Sequence, residues 1–263
     1  SCGSLYRFAR AQQGQLTNLE YTARPPSHKR AGNRDQTGKD RLVIAADRHV
    51  LALDFDGVIC DSARETGTVG WLAAAEIWPG HFAGQPPADM LAAFEACRPA
   101  LETGYESILA MRLLADGAEP QALCAAWRTS LDACMRTHGL QPAALIERFG
   151  AVRDRWLEED PQGWLDLHRA FPGTVEALNC ERARPTYIIT TKQKRFAVEL
   201  VRTHGLRLPP ERIAGLESGA KEDVLRRIAR DHRGAVVHFV EDRLATLERA
   251  AALRQQGLDL RLY

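Results

Sequence analysis

The sequence predicts an α/β protein: a parallel sheet covered by helices, interrupted by an all-helical insertion. Three observations lead there. Short apolar runs at residues 51–53, 186–190 and 235–240 are of the kind that form buried strands, the second of them rich in β-branched residues. After Phe171-Pro172-Gly173 such runs alternate with amphipathic stretches, the pattern of parallel β-α-β units. Between Ser62 and Asp160 strand patterns are absent, and apolar residues recur at three- and four-residue steps instead.

Taken in order, residues 1–41 hold eight Lys or Arg against three acids, Glu20, Asp35 and Asp40. They include Pro25-Pro26 and lack an apolar period, so they read as a basic, flexible extension. The same composition suits a transit segment, which places a plastid location beside the first expectation of the cytoplasm. Leu42-Val43-Ile44-Ala45 and Leu51-Ala52-Leu53, separated by the polar Asp47-Arg48-His49, are expected to enter the sheet as a pair. The core is thus expected over residues 42–61 and 172–263, and the helical insertion over 62–171.

Within the insertion, three apolar sets repeat at helical spacing. They are Leu101, Tyr105, Ile108, Leu109 and Leu113; Leu123, Trp127, Leu131 and Cys134; and Leu145, Phe149, Val152 and Trp156. Pro86-Pro87, Pro120, Pro142 and Pro161 fall at the ends of these sets, and ordinary helix lengths give about five helices. Asp61 and Ser62 read as the cap of the first. Trp71, Trp78, Trp127 and Trp156 are expected in its apolar core, while Tyr105 or Arg112, on a face with Ile108, is a candidate to reach a substrate. Beyond residue 171, helices carrying Phe196, Leu200 and Val201, then Val224, Leu225 and Ile228, then Leu244, Leu247 and Leu253 alternate with strands near 212–215, 235–240 and 258–263.

Composition narrows the partners. Thirty-five Lys or Arg oppose 34 acids for a net charge of +1, so neither nucleic acid nor an anionic membrane is expected, and a small soluble ligand fits better. The six cysteines, Cys2, Cys60, Cys97, Cys124, Cys134 and Cys180, form no C-x-x-C pair and are expected as free thiols. No run of 18 apolar residues spans a membrane.

In open α/β sheets, ligands bind beyond the carboxyl ends of the strands. Those ends carry Asp54-Phe55-Asp56-Gly57, Thr190-Thr191-Lys192 and Glu241-Asp242-Arg243, and Lys221 opens the helix before the last of them. Carboxylate oxygens suit Mg²⁺, with Asp54, Asp56, Asp242 and Glu241 as candidate ligands. An aspartate can attack phosphorus when cations screen the repulsion between anions, which points to Asp54 as nucleophile. Asp56, two residues on and on the same side of an extended strand, can carry the proton. Thr190 and Lys221 can hold phosphoryl oxygens, and Gly57 lets the backbone turn closely past them.

These stretches, in this order, resemble the haloacid dehalogenase-like (HAD) hydrolase superfamily, especially phosphatases with a helical cap inserted after the first motif. LDFDGVICDS is similar to its D-x-D-G-[VT] signature; YIITTK, GAKEDVL and VHFVED resemble the second, third and fourth motifs. The resemblance implies a Rossmann-like three-layer core, a mobile cap and Mg²⁺. It also implies an aspartyl-phosphate on Asp54 and hydrolysis of a small phosphorylated metabolite, phosphoglycolate-like or sugar-phosphate-like. The fourth motif departs from the family's G-D-x-x-x-D: Glu241 takes the glycine position and Thr246 stands four residues after Asp242, so either Glu241 is the second acid or that acid is missing. A dehalogenase would not need Asp56. A phosphomutase, or a non-catalytic binding or scaffold protein that keeps the fold, are the alternatives.

Overall fold

A computed structural model describes residues 48–181 and 183–263. The expected extension at 1–41, the strand at 42–45 and Cys2 lie outside the described residues. The chain begins with β1 (His49–Leu53) and a two-residue β2 (Cys60–Asp61). Seven helices follow: α1 (Ala63–Ile77), α2 (Ala88–Cys97), α3 (Glu106–Ala115), α4 (Pro120–Ala125), α5 (Trp127–His138), α6 (Pro142–Glu159) and α7 (Pro161–Asp166). Then come β3 (Arg169–Ala170), α8 (Thr174–Cys180), β4 (Thr186–Ile189), α9 (Lys194–Thr203), β5 (Ile213–Ala214), α10 (Lys221–Asp231), β6 (Val236–Val240), α11 (Leu244–Ala251) and β7 (Leu260–Leu262).

Five strands form one parallel sheet in the order β5-β4-β1-β6-β7. From β1 the chain builds outward through β4 and β5, then crosses back past β1 to add β6 and β7. Strand order therefore reverses at β1, where crevices open in sheets of this kind. Side chains of β1 alternate between the two faces, as strand geometry requires. Leu51 and Leu53 pack with Phe196, Leu200 and Val201 of α9, whereas Val50 and Ala52 pack with Val224, Leu225 and Ile228 of α10. Burial on both faces explains why β1 reads as a continuous apolar run rather than an alternating one. The last predicted helix ends as an α-helix at Ala251 and continues to Gln256 as a 3₁₀ turn, stopped by Gly257 in the left-handed region.

The region between β1 and β4 builds an apolar cluster of its own from residues 69–152, with Trp71 and Trp127 buried and Trp78 and Trp156 packed against it. Pro120, Pro142 and Pro161 each occupy the first turn of a helix, where the missing N–H costs nothing. The sequence suggested about five helices from ordinary helix lengths, but seven form, because the six-residue α4 and α7 are too short to show a period. Also missed is the β2–β3 pair, which joins Cys60 to Ala170 and Asp61 to Arg169 in antiparallel register. This two-rung ladder ties the two chain crossings together. The five described cysteines outside residues 1–47 are free thiols, and among the described residues no helix is long and apolar enough to cross a membrane.

Candidate active site

Register brings the site together. Leu53 lies beside Ile188 of β4 and Val240 of β6, so the residues that follow, Asp54, Thr190 and Glu241-Asp242, leave the sheet at nearly one level. Asp54 is buried, and its amide donates to the Val240 carbonyl at 2.9 Å. One carboxylate oxygen accepts from the Phe55 N–H at 2.7 Å; the other meets Lys221 Nζ at 2.8 Å. Lys221 also donates to Glu241 Oε2 at 2.7 Å. The ammonium thus bridges two acids from different strands, and as a three-proton donor it keeps one N–H for a further oxygen.

Asp54, Glu241 and Asp242 each place a carboxylate oxygen within 4.8 Å of the others. Burial, with smaller contributions from Glu241 and Asp56, pushes Asp54 up to about 7 against the opposing pull of Lys221. Glu241 and Asp242 are also raised, first by burial. Three crowded oxygen donors that resist ionisation together form a set that a hard divalent cation would relieve, so the residues fit Mg²⁺. Glu241 supplies the third carboxylate of this set. Thr246 does not join the set: its hydroxyl accepts from Arg249.

Asp56 departs from expectation. Its carboxylate lies outside the acidic trio and accepts from Ser62 Oγ, with Lys192 Nζ at 3.3 Å. Burial alone would raise it, but Lys192, Arg98, the Ser62 bond and Arg153 outweigh burial and hold the carboxyl below its usual value. Equal placement of Asp54 and Asp56 presumed a strand continuing past Leu53. Instead the chain turns at Gly57, whose amide donates to the Cys60 carbonyl at 2.8 Å, and the two-residue alternation ends there. Ser62 holds the cap position of α1, yet its side chain makes no cap bond, and Asp61 accepts from Ala63 instead.

Gly57 turns the backbone close to Asp242. It adopts φ +83°, and a Cβ there would stand 2.1 Å from Asp242 Oδ2. Gly57→Ala should therefore cost about 1–3 kcal/mol of stability and displace Asp242. Thermal unfolding with and without Mg²⁺ checks this: the variant should unfold earlier and gain less from the cation than the parent.

Thr190 is buried, and its oxygen accepts the Lys192 N–H at 3.0 Å, leaving its own proton to donate. Lys192, named at the strand end but given no role by the sequence, is buried and shared between Asp56 and Glu65, the latter at 3.9 Å. Behind it, Glu65 of α1 receives a bidentate pair from Arg153 of α6 at 2.7 Å each and a bond from Trp164 Nε1 at 3.0 Å. His168 donates Nδ1–H to the Trp164 carbonyl at 3.0 Å, and its Nε2 lies 3.5 Å from Glu65. Two carboxylates, Asp56 and Glu65, thus balance two cations, Lys192 and Arg153, where insertion meets core. On the open side, Thr191 Oγ1 donates to the Glu102 carbonyl at 3.0 Å, and the Glu102 carboxylate takes Arg249 at 2.8 Å. Arg112 is occupied elsewhere, by Asp116 at 2.8 Å and the Trp78 ring, and Tyr105 packs into the insertion's core.

No family model matches the chain, and no curated protein matches it. Similar solved structures include a candidate haloacid dehalogenase-like hydrolase from Bacteroides fragilis (20% identity, TM-score 0.46), covering 80% of this chain and 85% of that one. A predicted phosphoglycolate phosphatase from Haemophilus somnus is 11% identical with TM-score 0.49, covering 82% and 84%. A HAD family hydrolase from Deinococcus radiodurans, with bound phosphate and sodium, is 17% identical with TM-score 0.40, covering 82% and 91%. The chemistry of the site is accordingly read from its own residues.

Proposed function

We propose that the protein is a Mg²⁺-dependent phosphatase of the haloacid dehalogenase-like kind, hydrolysing a small phosphomonoester through an aspartyl-phosphate on Asp54. One observation carries this reading: two carboxylates two residues apart occupy separate charge environments. Asp54 sits in an acidic trio bridged by Lys221, and Asp56 sits between Lys192 and Ser62. Pairs of acids whose surroundings pull their ionisation apart are how one site divides nucleophile from acid/base work.

A cation held by Asp54, Glu241 and Asp242 would supply positive charge against an incoming phosphate. The spare proton of Lys221 and the hydroxyl of Thr190 bind phosphoryl oxygens. Asp54 attacks phosphorus, and the leaving oxygen takes a proton from Asp56. Asp56 is ionised in the free protein, but a dianionic phosphate beside it raises its affinity for a proton, which readies the acid form on binding. In the second half Asp56 takes a proton from water, water attacks the phosphorus, and Asp54 leaves as carboxylate with release of phosphate.

Phosphate release from a panel of small phosphomonoesters, with Mg²⁺ and after chelation, tests the proposal. Release that requires the cation is expected. No release from any ester under either condition would favour the binding-protein alternative, and transfer between esters without net phosphate would favour a phosphomutase.

A further inference from the structure

Between core and insertion lies a small cleft whose charged lining includes Asp56, Lys192, Arg153, Glu102 and Arg98. Four of these are committed. Arg153 is clamped to Glu65, Lys192 is shared by Asp56 and Glu65, and Glu102 takes Arg128, Arg243 and Arg249. Arg98 differs: among the described residues its guanidinium makes no ion pair and no side-chain hydrogen bond. It is half-buried on the 3₁₀ turn Arg98–Ala100 that follows α2, with Pro99 stiffening the turn. It lines the cleft together with Asp56, and its positive charge favours the ionised forms of both Asp56 and Asp242.

A five-donor planar cation kept half-buried without an acceptor is suited to an anion that arrives with the ligand. The transferring phosphoryl group already has Lys221 and Thr190. Arg98 instead shares the cleft with Asp56, which serves the leaving oxygen, and so stands on the leaving-group side. We infer that Arg98 binds a second anionic group on the substrate, making short phosphorylated carboxylic acids the preferred esters over phosphorylated sugars and alcohols. This rests on the phosphatase reading, whose Asp56 role defines the leaving-group side. The small cleft favours an acid of few carbons, with the carboxylate accepting two parallel N–H bonds from the guanidinium.

The test compares 2-phosphoglycolate with ethyl phosphate, similar in size but without the carboxylate, on the parent, Arg98→Gln and Arg98→Lys. The kcat/KM ratio of acid to alcohol ester cancels any general damage to folding or phosphate binding. The parent should favour the acid, and the ratio should fall about 10- to 100-fold in Arg98→Gln, as expected for a hydrogen bond to a charged group. Arg98→Lys should retain part of the preference. A parent ratio near one, or a ratio unmoved by Arg98→Gln, overturns the assignment while leaving the phosphatase standing. Equilibrium binding of the same two compounds to parent and Arg98→Gln is measured alongside. If neither ester is hydrolysed, the phosphatase reading fails by that fact, and the inference about Arg98 then stands or falls on whether the parent binds the acid more tightly and the variant does not.

Discussion

Replacing Asp54 with asparagine is expected to reduce phosphate release by more than about 10³-fold, in the range seen when a nucleophile is removed. The amide keeps the size of the carboxylate, and its single oxygen can still accept from either Phe55 N–H or Lys221, which retains Glu241 as a partner, so the loss would be mainly chemical rather than structural. Indeed the substitution removes one negative charge from three crowded acids whose burial disfavours ionisation. Thermal unfolding should therefore be unchanged or slightly later than in the parent, measured without added cation. With Mg²⁺ the order should reverse, because the variant loses a charged donor. Activity lost together with a collapse of the melting temperature would instead assign Asp54 a structural role.

The largest stability effect is expected at Glu65. This carboxylate is fully buried and holds Arg153, Trp164 and Lys192 at once. Glu65→Gln leaves Arg153 buried opposite a neutral group and should cost about 3–5 kcal/mol, the usual penalty for breaking a buried pair from one side. At about 2–4 °C per kcal/mol for a chain of this length, the melting temperature should fall by roughly 6–20 °C. The pH dependence has a definite sign. Burial alone would raise the Glu65 carboxyl, but Arg153, Lys192 and His168 outweigh it and hold it well below its ordinary 4.5. A depressed carboxyl contributes stability that is fully present above the ordinary value and is lost as pH falls through the folded one. The gap between parent and Glu65→Gln should thus be widest above about pH 4.5 and narrow below it. Melting curves across that range check both statements, and a gap independent of pH would contradict the ion pair.

What could be read from the chain divides by distance along it. The strand ends were legible because a buried parallel strand is a local apolar run, and the first polar residue after it marks the exit. Asp54, Thr190 and Glu241 were found that way, and parallel register then places them together. Lys221 was found as the first residue of a helix. Asp56 was named but misplaced, because strand alternation was extended through a segment that turns at Gly57. Gly57 was read as a close backbone turn, and the positive φ there agrees; the Asp242 carboxylate that a side chain at Gly57 would strike comes from a distant strand end and was not foreseeable.

The rest depends on contacts that no local pattern encodes. Glu65 and Arg153 are 88 residues apart and occupy helices whose sequences look ordinary in isolation. Either charge would read as a solvated helix face, since buried charges are rare without partners. Arg98 sits at a helix end, where basic residues are common for their effect on the helix dipole alone. A two-residue ladder such as β2–β3 is shorter than the period that would reveal it. Arg112, chosen for the face it shares with Ile108, illustrates the limit of single-helix reasoning: it pairs with Asp116 four residues on and with the Trp78 ring, and is not among the residues that line the cleft.

The most direct measurement is acid quenching of the protein within its first turnover of an ester labelled in the phosphoryl group, followed by digestion and location of the label. The label should appear on the peptide that carries Asp54, in a bond cleaved by hydroxylamine, and be absent from Asp54→Asn. Label on any other residue, or phosphate released in the first turnover without labelled protein, would contradict attack by Asp54.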